Sequence, residues 1–254
     1  MLSSVKTDKQ RIAQTFGKAA IHYDNHANIQ RYSGNKLMDL AHHDSGNIVL
    51  DAGCGTGYFS QKWKQQGKFV IALDLSHSML QVAKQQQRAD GYLQSDIEQC
   101  AIAPQSVDIV FSNLAMQWCE DLSGAIKTLM NTVNVKGALY FSTLTTLTLQ
   151  EVRDAWQSLD KHPHVNPFLS LQDIEKACRG FHCQFSTETV TEQYDSLRAL
   201  FASLKGVGAN FVQGDRQKGL MTRQKFRALE NVWKTESGKY LLTYQIVIGK
   251  ISHG

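Results

Sequence analysis

Three acids and three glycines carry most of the chemistry that this sequence can offer. Ile48-Val49-Leu50-Asp51 is a short apolar run ending in an acid, and it passes directly into Ala52-Gly53-Cys54-Gly55-Thr56-Gly57. A glycine-rich turn between a strand and a helix lets a ligand approach the backbone, because glycine lacks a Cβ and tolerates positive φ. The dinucleotide pattern G-x-G-x-x-G would need glycine or alanine at position 58, where this chain has Tyr58. The next apolar run ends in Asp74, seventeen residues beyond Gly57, and Asp96 follows the run Tyr92–Ser95. An acid at position 74 suits ribose hydroxyls. Asp96 could accept from an adenine amine, with Ile97 covering the ring. Asp51 would repel a pyrophosphate and favour an ammonium group. Taken singly, each aspartate could be a helix cap and the glycines could merely close a turn. In this order they point to an adenosine joined to a cationic sulfonium amino acid, S-adenosylmethionine. The expected binding set is Asp51, Gly53, Cys54, Gly55, Gly57, Asp74, Leu75, Met79, Asp96, Ile97, Asn113 and Leu114.

The elements that must position these groups follow from periodicity. Residues 7–45 read as helical, with Phe16, Ala19, Ala20, Tyr23 and Ala27 at helical spacing. Short apolar strands then alternate with amphipathic helices. The strands are Ile48–Asp51, Phe69–Asp74, Tyr92–Ser95, Val107–Ser112 and, after Gly137, Ala138–Thr143; helices follow Gly57 and Ser76 (a candidate N-cap, for a helix to about Arg88), and Leu122, Ala125, Ile126, Leu129 and Val133 mark a third. This rhythm predicts a doubly wound, mostly parallel α/β sheet that binds its ligand at the carboxyl ends of its strands. Beyond residue 145 the rhythm loosens. Helices are expected over Leu149–Leu159, Leu171–Cys178, Ser196–Leu204 and Thr222–Trp233, and strands over Phe181–Val190 and Tyr240–Ile251. The reading is one domain over 1–254, with a helical cap (about 7–45), a ligand-binding half (about 46–145) and helical insertions (about 146–180 and 195–235).

Composition narrows the class. The hydrophobic fraction is 42%, the charged fraction 20% and the net charge only +4, which is that of an ordinary globular chain. Five scattered cysteines lack a C-x-x-C pair, and nine histidines form no ligand spacing, so neither a disulfide framework nor a metal site is expected. No run approaches the ~18–20 apolar residues of a membrane span. A cytoplasmic monomer is the expectation.

A second set of segments carries a resemblance. Val49–Gly57 looks like motif I of class I S-adenosylmethionine-dependent methyltransferases, with Asp74 and Asp96 in its acidic second and third positions. Phe16-Gly17-Lys18-Ala19-Ala20 with Tyr23-Asp24-Asn25-His26-Ala27 resembles the start of the malonyl-acyl-carrier-protein O-methyltransferases of biotin biosynthesis. So do Ser112-Asn113-Leu114-Ala115-Met116-Gln117-Trp118-Cys119, Ser203-Leu204-Lys205-Gly206-Val207-Gly208-Ala209 and Leu242-Thr243-Tyr244. The resemblance implies a Rossmann-like fold: a seven-stranded, mostly parallel sheet with an antiparallel C-terminal strand and added lid helices. It also implies methyl transfer to the free carboxylate of a malonyl thioester, masking that charge so that elongation enzymes can build a pimeloyl chain.

An ionised malonyl carboxylate is already the nucleophile and needs no general base. What such a reaction needs is alignment and exclusion of water. The expected reaction-centre residues are Tyr23, Gln117, Trp118 and Lys205. Tyr23 reads equally as a helix-face aromatic, and Trp118 could be plain core. Between Ser196 and Ala228, Arg198, Lys205, Arg216, Lys218, Arg223, Lys225 and Arg227 face a single acid, Asp215, giving a local charge of +6. Such a patch would steer an acidic acyl carrier protein, or be only a solvated helix face. No stacking surface or motif accompanies it to suggest nucleic acid. Two alternatives remain open: methylation of another small molecule such as a quinone or sterol precursor, and a non-catalytic adenosine-binding module.

Overall fold

The computed structural model describes residues 8–207 and 222–254. Strands β1 (Ile48–Ala52), β2 (Phe69–Asp74), β3 (Gly91–Gln94), β4 (Val107–Asn113), β5 (Val133–Leu144), β6 (His182–Tyr194) and β8 (Lys239–Ser252) form one sheet in the order β3-β2-β1-β4-β5-β8-β6, and the two-residue strand β7 (Thr235–Glu236) pairs with β8. β1 pairs in parallel with β2 and β4, as do β2 with β3 and β4 with β5; β8 alone runs antiparallel, between β5 and β6. The central strands are buried on both faces, which is why they read as nearly continuous apolar runs. Strand order reverses between β1 and β4, so a crevice opens at their carboxyl ends, beside Ala52 and Asn113.

Successive residues feed opposite cores. Val49, Ile109 and Tyr140 join the cluster under helices α2 (Asn28–Ala41), α3 (Tyr58–Gln65), α6 (Gln150–Gln157), α8 (Leu197–Gly206) and α9 (Arg223–Val232). Leu50, Val110 and Leu139 join the cluster under α5 (Leu122–Thr132) and α7 (Leu171–Ala177). Gly34 lets α2 lie directly on α3, since a Cβ there would stand 2.1 Å from the Phe59 ring.

Local differences from the sequence expectation have identifiable causes. The N-terminal helical stretch is broken: α1 (Lys9–Ala19) and α2 flank a 3-10 turn, Tyr23–Asn25, that swings toward the sheet. Helix α4 (His77–Gln85) stops before Arg88 because Gln87 adopts φ 53°, which folds Arg88 back under the protein. Ser76 sits at the N-cap position but its side chain makes no cap bond. β5 begins at Val133 rather than after Gly137, which lies inside the strand at a register shift where a Cβ would meet the Asp108 carbonyl at 2.2 Å. Leu149 is left-handed (φ 59°) and precedes α6 rather than starting it.

Candidate active site

The glycine loop is built inward. Gly53 N–H and Cys54 N–H both donate to the Leu73 carbonyl (2.8 and 2.9 Å), Gly57 N–H to the Cys54 carbonyl (2.9 Å), and Gly55 N–H to Asp74 Oδ2 (2.8 Å). These four donors are spent within the protein, so they are not available to cradle a phosphate. Gly53, Gly55 and Gly57 all have positive φ (79°, 56° and 81°), and a Cβ on Gly53 would lie 2.3 Å from that of Ala115. Glycine is therefore required there both by backbone conformation and by space.

The acids face the cleft that the loop closes. Asp74 also accepts from Ser76 N–H at 2.7 Å; burial raises its pKa and the backbone donors pull it part of the way back. Asp51 is 2% exposed and accepts from the Ser60 hydroxyl at 2.6 Å. Burial, with a contribution from Asp74, pushes its pKa up to about 7. A buried acid this reluctant to ionise is matched by a cation. Leu75, Met79, Asp96, Ile97, Asn113 and Leu114 line the same cleft as Asp74, while Asp51 and Cys54 line its extension on the far side of Gly53 and Gly55. Asp96 is already engaged: Lys9 of α1 reaches its carboxylate at 3.1 Å and also pairs with Glu98, and Glu98 N–H donates to it at 3.0 Å. Asn113 spends its carboxamide on structure, accepting from Ser33 and Ser142 and donating to the Gln30 carbonyl. It lines the cleft yet works chiefly as a rivet between α2 and the sheet.

The turn at Tyr23–Asn25 is pinned over the loop. Thr56 Oγ1 donates to Asp24 Oδ1 at 2.6 Å, and Arg88 pairs with Asp24 Oδ2 at 2.9 Å while holding the Thr56 carbonyl at 2.9 Å. This clamp places Tyr23 beside Gly55, on the boundary of the cleft, its extension and a larger cavity. Burial together with Asp74 and Asp24 drives the Tyr23 phenol far above its ordinary pKa, so it remains a proton donor throughout the neutral range.

The larger cavity, about 870 Å³, shares Phe16, Tyr23, Leu114 and Trp118 with the cofactor-side cleft. Phe16 and Trp118 meet edge to face, ring centres 5.3 Å apart, so Trp118 is wall rather than core filler. Gln117 donates to the Leu114 carbonyl at 2.7 Å, leaving its buried Oε1 without a partner among the described residues. Trp156 and His164, stacked at 3.6 Å, form another wall, with Asp160 holding His164 at 2.8 Å. Tyr244 of β8 also faces in, 5% exposed and kept protonated by burial and Glu192. Gly206 lets α8 abut the clamped segment, because a Cβ there would lie 2.2 Å from the His26 ring.

Of the basic residues, Arg198, Lys205, Arg223 and Arg227 line this cavity, and Lys225 is exposed on α9. Arg216 and Lys218 lie outside the described residues. Gln30, Arg31, Thr56, Ser60, Arg88 and Phe16 were not legible as site residues, since their roles depend on how the N-terminal segment packs. Among the described residues no three His, Cys, Asp or Glu side chains converge as a metal site, and no helix is long and apolar enough to cross a membrane.

The comparisons with known proteins agree with this geometry. Residues 50–141 match the model of a methyltransferase domain family. A malonyl-acyl-carrier-protein O-methyltransferase of Yersinia pestis is 46% identical over 250 residues, 98% of this chain and 94% of that protein. The chain belongs to this methyltransferase family. Its counterpart from Serratia marcescens is 42% identical over 96% of both chains. Among solved structures, the YcgJ protein of Bacillus subtilis superposes with a TM-score of 0.61 over 88% of this chain and 99% of its own, at 14% identity. A TehB-like SAM-dependent methyltransferase of Corynebacterium glutamicum gives 0.51 over 92% and 99%, at 15%. At such identities the likeness speaks to the fold, and the fold is that of methyltransferases.

The donor set fits S-adenosylmethionine. Asp74 could accept from the ribose hydroxyls, Leu75, Met79 and Ile97 could cover the adenine faces, and Asp51 could match the ammonium. The four spent loop donors, with the acid Asp51 buried beneath them, disfavour a phosphate chain there.

Proposed function

We propose that the protein esterifies the free carboxylate of a malonyl group carried as a thioester on acyl carrier protein. The reading is carried by one observation: the cofactor-side cleft and the 870 Å³ cavity meet at Phe16, Tyr23, Leu114 and Trp118, while Arg198, Lys205, Arg223 and Arg227 line the cavity. Acyl carrier protein is acidic and presents its cargo on a long arm, so basic residues at the cavity and an interior junction suit it. The name borne by the Yersinia and Serratia relatives supports the same substrate.

When bound, the cofactor supplies an electrophilic methyl group on a sulfonium. The protein's part is orientation and dryness. Apolar walls from Phe16, Leu114, Trp118 and Leu144 strip water from a carboxylate that needs no base. The phenols of Tyr23 and Tyr244 are fixed donors that can orient it, and Lys205 stands at the cavity to draw in its charge. Product formation removes a negative charge, which weakens the hold of the basic lining on the ester.

Purified protein supplied with S-adenosylmethionine and malonyl-acyl carrier protein should yield the methyl ester, read by mass spectrometry, with weaker use of malonyl-CoA. Absence of ester from both, with cofactor binding demonstrated by calorimetry, overturns the reading.

A further inference from the structure

An acidic carrier and an anionic cargo account for the cations of the large cavity, but one lining residue carries the opposite charge. Glu230 of α9 is the only carboxylate among the described lining residues. Arg198, Lys205, Arg223 and Arg227 are exposed, which sets them at the rim, whereas Glu230 is half-buried. Its neighbours in sequence leave it unmatched. Among the described residues Glu230 forms no ion pair with Arg227, three positions earlier, or with Lys234, four later, and its carboxylate accepts no hydrogen bond. The helix that presents it is firmly backed. Phe226, one turn earlier, lies 6.3 Å from the ring of Phe201 on α8, and Phe201 lies 5.6 Å from Trp233. The Trp233 indole donates to the Leu241 carbonyl at 2.9 Å, which ties the end of α9 to β8. A half-buried carboxylate has lost part of its hydration and is matched by hydrogen-bond donors. The lining is short of donors elsewhere too: Oε1 of Gln30 and of Gln117 are buried with no partner among the described residues. An occupant that satisfies this cavity brings N–H groups with it.

We propose that Glu230 is a specificity-determining residue that accepts an amide N–H of the pantetheine arm on which the malonyl thioester is carried. The proposal rests on the reading of the cavity as the path of a carrier-bound malonyl group. Such a substrate is anionic at the malonyl carboxylate, anionic again at its phosphate and carrier surface, and neutral with amide N–H donors between. The cavity repeats that order. Cations stand at the rim, an unpaired acid stands part-way in, and phenol donors and apolar walls close the inner end. Like charges repel in a partly desolvated site, so an anion cannot rest beside Glu230. The malonyl carboxylate therefore moves on to the junction with the cofactor-side cleft, and the amide that follows it takes its place beside the acid. Glu230 gives the arm both a direction and a register.

The test uses the full chain with acyl carrier protein loaded with three malonyl arms: the natural one, and two in which one or the other amide N–H is replaced by an ester oxygen. Each replacement keeps the shape of the arm and removes one donor. On the wild-type protein one of the two should lower kcat/KM for methyl ester formation about 10-fold, the range of a charge-assisted hydrogen bond at a partly exposed site. Glu230→Met should lower kcat/KM for the natural arm by about the same factor and make the protein indifferent to that replacement. Glu230→Gln keeps an acceptor, so its loss on the natural arm should be only about 2- to 3-fold. Equal wild-type rates with all three arms overturn the proposal, and that comparison needs no variant. A loss in Glu230→Met that is the same for all three arms also overturns it, by showing that Glu230 merely supports α9. No ester from any arm would overturn the function on which the proposal rests, and the proposal with it.

Discussion

Replacing Asp51 by Asn should stabilise the ligand-free protein while weakening its hold on the cofactor, with both effects growing as pH rises. The carboxyl has an ordinary pKa of 3.8 and titrates at about 7 in the fold. At about 1.4 kcal/mol per pH unit, full ionisation inside the fold costs about 4 kcal/mol relative to the unfolded chain. The folded protein keeps a proton that the unfolded chain has surrendered above pH 4. Stability is therefore fully present below about pH 4 and is lost progressively as pH rises through about 7. Asn cannot ionise, and its amide oxygen can still accept the Ser60 hydroxyl, 2.6 Å away in the native site. The advantage of Asp51→Asn should grow by about 3 kcal/mol between pH 5 and pH 8, or roughly 5–10 °C in Tm for a chain of this size. Thermal melts of both proteins at half-unit steps of pH read this directly. Calorimetry with S-adenosylhomocysteine gives the reciprocal result: its ammonium favours ionised Asp51, so wild-type affinity rises from pH 6 to 8 while that of the variant stays flat. Parallel melting profiles, or a wild-type affinity that ignores pH, would refute the link between burial, proton and cation.

Other consequences follow from the same geometry. Asp74→Asn should weaken S-adenosylhomocysteine binding about 10- to 100-fold, since it removes a charge-assisted acceptor and turns an amide toward the N–H of Gly55 or Ser76; unchanged affinity by calorimetry would place the ribose elsewhere. Gly53→Ala forces a left-handed backbone on alanine, about 1–2 kcal/mol in itself, and drives its Cβ onto that of Ala115. A lowered Tm and lost cofactor binding are expected, and wild-type values in both would contradict the crowding. Reversing Arg198, Arg223 and Arg227 to Glu should raise KM for malonyl-acyl carrier protein at least 10-fold more than KM for malonyl-CoA, with the difference shrinking at high salt. Equal changes for both substrates would remove the docking role.

The elements of the central sheet were legible because their signals are local. Buried parallel strands write themselves as apolar runs, and Phe69–Asp74 has the bounds expected of it. The strand-end acids were legible for the same reason, as each ends a run that the fold must bring to one edge. The cap was not. Helical spacing runs through residues 16–27, but the turn at Tyr23–Asn25 is enforced by three polar residues, Arg31 nearby and Thr56 and Arg88 distant in sequence, so no periodicity announces it. Asp96 shows the same limit. Its position was readable, whereas its pairing with Lys9 depends on how α1 lies across the cleft.

What the sequence determined by itself is the kind of ligand. Tyr58 where a dinucleotide loop needs a small residue, and acids at 51, 74 and 96, are statements about charge and volume that hold wherever the chain folds locally as strand, turn and helix. Tertiary structure alone decided which donors stay free. It spent the loop N–H groups on Leu73, Asp74 and Cys54, buried Asp51 until its proton stayed on near neutrality, and left Arg31 without a carboxylate among the described residues. Hydrogen-bond satisfaction and desolvation are sums over neighbours drawn from the whole chain, and sequence order does not contain them.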